Sequence, residues 1–345
     1  MMIDDKRYTS GRIALANLSA SIVSLELRRG EKPRFPDLVS LSKLLFLRAD
    51  LLGRIADHDR AELIATEAIA LSPNSASASY IRARLAERFH RFAEAHAYLD
   101  QALAAGYSKQ QIDIERASLF QATGQYREAL ALRERLAEEA PGIRTIGALA
   151  SLLAEMDQWD AAEACYAAAL DADNGISPIP CGQLLFEWGV SAMRRGDLDC
   201  AEAIFVQLDT IFPAHVPGRG HRAEVALARG QLEIAEALVT PLLEIADDPE
   251  YRAIYAEILA ARGDGKATCE AARAAAAYEQ LLARRPEAYS DHAAAFFMGI
   301  GNRPDVAIAL ALANWKLRDT GRSRDLLVRA QRKVQKSSTM EGGAA

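Results

Sequence analysis

Eight alanines recur at a nearly constant interval: Ala61, Ala95, Ala129, Ala162, Ala201, Ala235, Ala274 and Ala307. Their spacings are 34, 34, 33, 39, 34, 39 and 33 residues. A fixed period over so much chain excludes most folds, because only an architecture that stacks one repeated unit keeps such a register. The two intervals of 39 each require an insertion of five residues. The Asn/Gly/Pro-rich stretch at 173–182 and the segment GDGKATCEA at 263–271 are the sites where it fits.

Other positions keep phase with the series. Twelve residues earlier stands a small residue: Ala49, Ala83, Ala117, Ala150, Gly189, Ala223 or Ala295, with Ala256 in that role in the seventh unit. Five residues earlier come Gly124, Gly196 and Gly230, with Asp157 and Asn302, all tolerant of the left-handed conformation that ends a helix. Seven residues later the position is Ala68, Ala102, Leu136, Ala169, Leu208, Leu242 or Leu281. Twelve later, Pro73, Pro141, Pro213 and Pro286 close units, as a residue that cannot continue a helix but starts one well. Each unit therefore reads as a helical hairpin whose two helices cross on small residues, and alanine also has the best helix propensity.

The unit IERASLFQATGQYREALALRERLAEEAP, closing at Pro141, and GVSAMRRGDLDCAEAIFVQLDTIFP, closing at Pro213, resemble the tetratricopeptide-repeat (TPR) family. The resemblance covers about residues 42–320. It implies an all-α chain, a right-handed TPR-type α-solenoid of about eight helix-turn-helix repeats with N- and C-terminal capping helices. Residues 1–41 are expected to form a capping helix, over 8–29, and a linker broken by Gly30, Pro33 and Pro36. Residues 321–335 are expected to form an amphipathic capping helix, and 336–345 a disordered tail. The last unit resembles the closing segment of bacterial TPR proteins.

Charge narrows the function. With 41 basic and 47 acidic residues the chain carries a net −6, which argues against a general nucleic-acid or anionic-membrane surface. No run approaches the ~18 apolar residues of a membrane span. Asp4 and Asp5 stand where a secretory signal would be basic. Four cysteines, Cys165, Cys181, Cys200 and Cys269, form no CxxC pair, which suggests a reducing compartment and a cytoplasmic location.

Catalytic signatures are missing: no GxxxxGK[ST], GxSxG or HExxH occurs. His90 and His96, and likewise His215 and His221, are six apart, a spacing that does not place two rings on adjacent turns of one helix face. Asp291 and His292 are neighbours in sequence and point about 100° apart on a helix. Cys181 falls in the first insertion, where it could be exposed, with no activating neighbour in sequence. The expectation is a protein that is not an enzyme, with no catalytic residue, metal or cofactor.

The family resemblance implies that the first helix of each pair lines a concave groove. Carried over, that face includes Lys43, Phe46 and Arg54, then Tyr80, Arg84 and Arg88, then Gln121, Arg144, Phe186 and Arg194. Aromatic and arginine side chains are the usual interface anchors. Such a groove suits an extended or helical protein segment with carboxylates and a few apolar side chains. Arg84 and Arg88 are expected on the exposed side of their helix, so that charge reversal there leaves the fold intact. A two-carboxylate clamp for chaperone tails needs asparagines where this chain has Asp50, Arg84 and Ser118. The reading is a protein–protein interaction scaffold or adaptor. Alternatives are a non-catalytic subunit or groove-site component of an enzyme, and a peptide-sensing regulator. Arg324, Asp325 and Arg329 give the last helix a polar face, which favours a monomer.

Overall fold

The alanine series is where paired helices touch. In the computed structural model, which describes residues 8–342 and side chains through 335, each of the eight alanines is at most 2% exposed. A methyl group at the crossing point lets two helix backbones approach, and a larger side chain would force them apart.

The first hairpin pairs α2 (Phe35–Leu52) with α3 (Ile55–Leu71), and the second α4 (Ala76–Arg88) with α5 (Phe92–Ala104). The third joins α6 (Lys109–Ala122) to α7 (Tyr126–Glu139), and the fourth α8 (Ile143–Glu155) to α9 (Trp159–Asp171). The fifth is α10 (Pro178–Arg195) with α11 (Leu198–Ile211), and the sixth α12 (Val216–Ala228) with α13 (Leu232–Val239). Pro241 interrupts the sixth hairpin's second helix, which resumes as the single turn α14 (Leu242–Ile245). The seventh is α15 (Pro249–Ala261) with α16 (Lys266–Arg284), and the eighth α17 (Pro286–Met298) with α18 (Pro304–Leu317). A helix α1 (Gly11–Glu31) precedes them and α19 (Gly321–Gly342) follows. The result is an all-α, right-handed TPR-type solenoid with terminal helices.

Every hairpin turns through one residue of positive φ: Gly53, His90, Gly124, Asp157, Gly196, Gly230, Gly263 and Asn302. Both insertions are absorbed as helix. α10 runs 18 residues against 13 for α8, and α16 runs 19. Cys181 consequently lies inside α10 and is fully buried, not in an exposed loop. The small contact of the eighth hairpin falls on Ala294, and Ala295 is exposed, because the turn at 299–303 is longer than its counterparts. The first hairpin starts at Phe35, earlier than the expected 42, since Pro36 opens α2. The last helix continues past 335 to Gly342, and residues 343–345 of the expected tail lie outside the described residues.

The solenoid also touches itself. Asp247 Oδ2 accepts the Ala56 N–H at 3.0 Å, and the 247 and 248 N–H groups donate to Gly53 O, each at 3.2 Å. Arg284 and Arg285 of the seventh hairpin pair with Asp59, and Arg285 also pairs with Glu62 at 2.5 Å. The Arg285 guanidinium covers the Phe89 ring at 3.9 Å. Arg318 Nε donates to Ala122 O at 3.2 Å. Hairpins one to three thus meet hairpins six to eight along a lateral seam. Helix α1 packs on α2 and reaches α10. It is fixed there by Tyr8, whose hydroxyl donates to Asp173 at 2.8 Å, and by Thr9, whose N–H donates to Ile176 O at 2.8 Å.

Candidate functional site

The first helices of hairpins one to four converge on a cavity of about 810 Å³. The superhelical twist turns α2, α4, α6 and α8 toward it, and α7 adds Arg133 and Leu136. Its apolar lining includes Val39, Leu47, Ile114 and Ala148. Its charged lining is Lys43, Arg84, Arg88, Arg133 and Arg144 against Asp50, Glu87 and Glu115. The cavity is therefore locally positive inside a chain of net charge −6.

Six of the ten sequence-predicted residues line this cavity: Lys43, Phe46, Tyr80, Arg84, Arg88 and Arg144. Several are already engaged. The Tyr80 hydroxyl donates to Glu115 at 2.7 Å, and its ring stacks on Tyr107 with centroids 4.3 Å apart. Arg84 pairs with the buried Glu115 and with Glu87, the latter at 3.1 Å. Arg88 pairs with Asp50 at 2.8 Å. Reversing Arg84 would leave the buried Glu115 carboxylate without its cationic partner, so Arg84 does not have the structural neutrality expected of it. Burial, with Glu115 adding and Arg84 opposing, pushes the Glu87 carboxyl up to about 7.

The other four lie away from the cavity. Arg54 is the N-cap residue of α3, 3.8 Å from Asp57. The Gln121 amide donates to Glu155 at 2.9 Å. Arg194 is exposed at the end of α10. Phe186 is half-buried beside two imidazoles, His215 at 5.2 Å and His221 at 5.5 Å between centroids. The six-residue spacing of those histidines gave no sign that a phenylalanine from the preceding hairpin joins them.

Hairpins six to eight carry the reverse charge. His221 Nδ1 lies 2.5 Å from Glu224, and His292 Nδ1 lies 3.6 Å from Glu250. Asp291 does not meet the His292 ring as a catalytic pair would; its carboxylate accepts the His292 backbone N–H at 2.9 Å. The Asp291 charge, with Glu250 adding and burial opposing, raises the half-exposed His292 imidazole to about 10. Burial works against the Glu250 charge, yet His292 and His221 hold that carboxyl down at about 2. Burial and Glu250 push Asp248 up to about 6. The acidic region adjoins the cavity at His90, whose Nδ1–H donates to Glu287 O at 3.0 Å. Burial and the Arg318 charge hold His90 down at about 4. Among the described residues no group of three or more His, Cys, Asp or Glu is arranged to hold a metal, and no helix is long and apolar enough to cross a membrane.

Sequence reasoning missed Arg133. It sits on a second helix, where the family pattern places no groove residue, and only the curvature of the stack brings it inward.

Residues 192–258, from the end of α10 through most of α15, match the family model described as tetratricopeptide repeat. No curated protein sequence matches the chain. Among solved structures, a Rap protein complexed with Competence and Sporulation Factor is similar at 14% identity and a TM-score of 0.55, over 92% of this chain and 99% of that one. The Cut9-Hcn1 hetero-tetramer of APC/C is similar at 15% identity and a TM-score of 0.50, over 85% of this chain and 55% of that one. A tetratricopeptide repeat protein from Parabacteroides merdae shows 17% identity and a TM-score of 0.45, over 86% and 98%. Eight hairpins in one register, with a tetratricopeptide-repeat match at residues 192–258, give the chain a tetratricopeptide-repeat fold.

Proposed function

We propose that this protein is a binding scaffold that holds a segment of a partner protein against the inner wall of its first four hairpins. The observation that carries the reading is the cavity itself. Its volume of about 810 Å³ accommodates several side chains, and its lining joins apolar surface to an excess of positive charge. Concave sites with a mostly apolar wall and a few placed polar groups are where proteins take ligands. The partner segment is acidic, because the unpaired charges it would meet are cationic. The same fold accompanies a bound factor in the Rap complex.

Lys43 and Arg144 are exposed and make no ion pair among the described residues, so they can be changed without stranding an internal partner. The test is capture of partners from the soluble fraction of the source cell, read by mass spectrometry, with the native chain beside Lys43→Glu/Arg144→Glu. A partner held by the native chain and lost by the variant supports the reading. A partner held equally by both moves binding off this wall and overturns it.

A further inference from the structure

We infer that Arg133 and Arg144, flanked by Lys43, form the anion subsite of this cavity, and that the bound segment presents to it a single carboxylate set among apolar side chains. The inference rests on the proposed scaffold function and names the chemistry of what the scaffold holds.

Of the five cationic side chains in the cavity, two are already neutralised: Arg84 by Glu115 and Glu87, and Arg88 by Asp50. Arg133 has no such partner. Its Nε is buried without a hydrogen bond among the described residues. A guanidinium carries five donors and accepts nothing, so a buried, unpaired N–H there is a cost that an incoming acceptor relieves. A planar carboxylate matches that fork better than any neutral group. Arg144 and Lys43 line the same cavity on the exposed side of their helices and add to its positive charge. Leu136 and Ile114 supply the apolar surround.

The rest of the interior limits how much negative charge can enter. Asp50, Glu87 and Glu115 share the cavity, and Glu250 and Asp291 stand in the adjoining region. A nucleic-acid strand would bring one phosphate per nucleotide past these carboxylates, whereas a peptide brings one charge to one place. The carboxylate can come from a chain terminus or from an Asp or Glu side chain.

Two dyes separate charge from shape. 8-Anilinonaphthalene-1-sulfonate and N-phenyl-1-naphthylamine share their aromatic rings, and only the first is an anion. Titrated into the full chain and followed by fluorescence, the anionic dye should bind about tenfold more tightly, the effect of one charge-assisted contact. Arg133→Gln/Arg144→Gln should abolish that preference and leave the affinity for the uncharged dye within about twofold, with an unchanged circular dichroism melt. Arg144→Gln alone keeps the comparison readable if the double variant does not fold. Equal affinity of the native chain for both dyes, no binding of either, or a preference that survives the substitutions overturns the subsite and leaves the scaffold reading standing. Displacement of the bound anionic dye then identifies the carboxylate. Pools of random hexapeptides with free C-termini are set against C-amidated pools containing one Glu, and both against oligouridylate. Displacement by either peptide pool supports the inference and assigns the source. Displacement by oligouridylate alone, or by none of the three, overturns the peptide carboxylate and the scaffold reading together, while the anion subsite stands.

Discussion

His215 shows how one buried side chain ties stability to pH. It is 2% exposed, and its Nδ1 accepts the Gly218 N–H at 3.0 Å, capping α12. Burial, with the His221 charge adding, lowers its pKa to about 4. The unfolded imidazole titrates near ~6.5, so between about 6.5 and 4 the unfolded chain binds a proton that the folded chain refuses. Stability therefore falls as pH drops through that window, and is unaffected by this group above it. His215→Asn keeps an acceptor at the cap and removes the titration. Thermal melts should show it less stable than the native chain at pH 7.5, by about 1–3 kcal/mol of lost packing, with a flatter loss from pH 7 to pH 5. An unaltered slope would mean that other groups govern acid sensitivity. None of this was visible in the sequence, where His215 had no assigned partner. The same holds for Arg88, whose carboxylate Asp50 comes from the preceding hairpin, and for one of the two carboxylates on Arg84, Glu115 of the next hairpin.

The helical hairpin was the most legible element. The crossing alanines and the residues seven positions later are buried throughout, because a steric requirement repeated eight times leaves a repeated trace. Departures came where geometry is set by length: the longer turn that moved the contact from Ala295 to Ala294, and the insertions that lengthened helices. Gly124 tests the turn. Its φ is +81°, and a Cβ there would run into the carbonyl oxygen of Asp319, at the α18–α19 turn. Gly124→Ala must accept a left-handed conformation and displace that neighbour, so it should lower stability by about 1–3 kcal/mol. At Gly230, with φ +70° and open space around it, the same change incurs only the backbone part. Denaturant melts of the two variants should rank Gly124→Ala as the less stable, and the reverse order would argue against a tight contact at the seam.

At the scale of the whole molecule, the seam between the first and last hairpins was not legible. It depends on the small rotation between successive hairpins summed over five or six of them, and no local pattern encodes that sum. The cavity shares this origin, which is why Lys43 and Arg144 could be placed on a face by sequence while Arg133 could not. Much of the seam is ionic, centred on Arg284 and Arg285 with Asp59 and Glu62. Arg284→Ser/Arg285→Ser should increase the radius of gyration in small-angle X-ray scattering, and high salt should move the native chain in the same direction. A native radius unchanged by both would mean that the apolar and backbone contacts hold the seam alone.

That seam alters what kind of polymer this is. An open stack of repeats behaves as a one-dimensional chain of neighbours whose ends fray first. Here the contact between Ile55 and Asp247 closes a loop across 192 positions. Closing so long a loop costs only about 5 kcal/mol of chain entropy, since that cost grows with the logarithm of length. Once it is closed, neither end can loosen without breaking contacts with the other. The terminal hairpins thus gain a stake in each other's order, and unfolding is more cooperative than a sum over nearest neighbours allows.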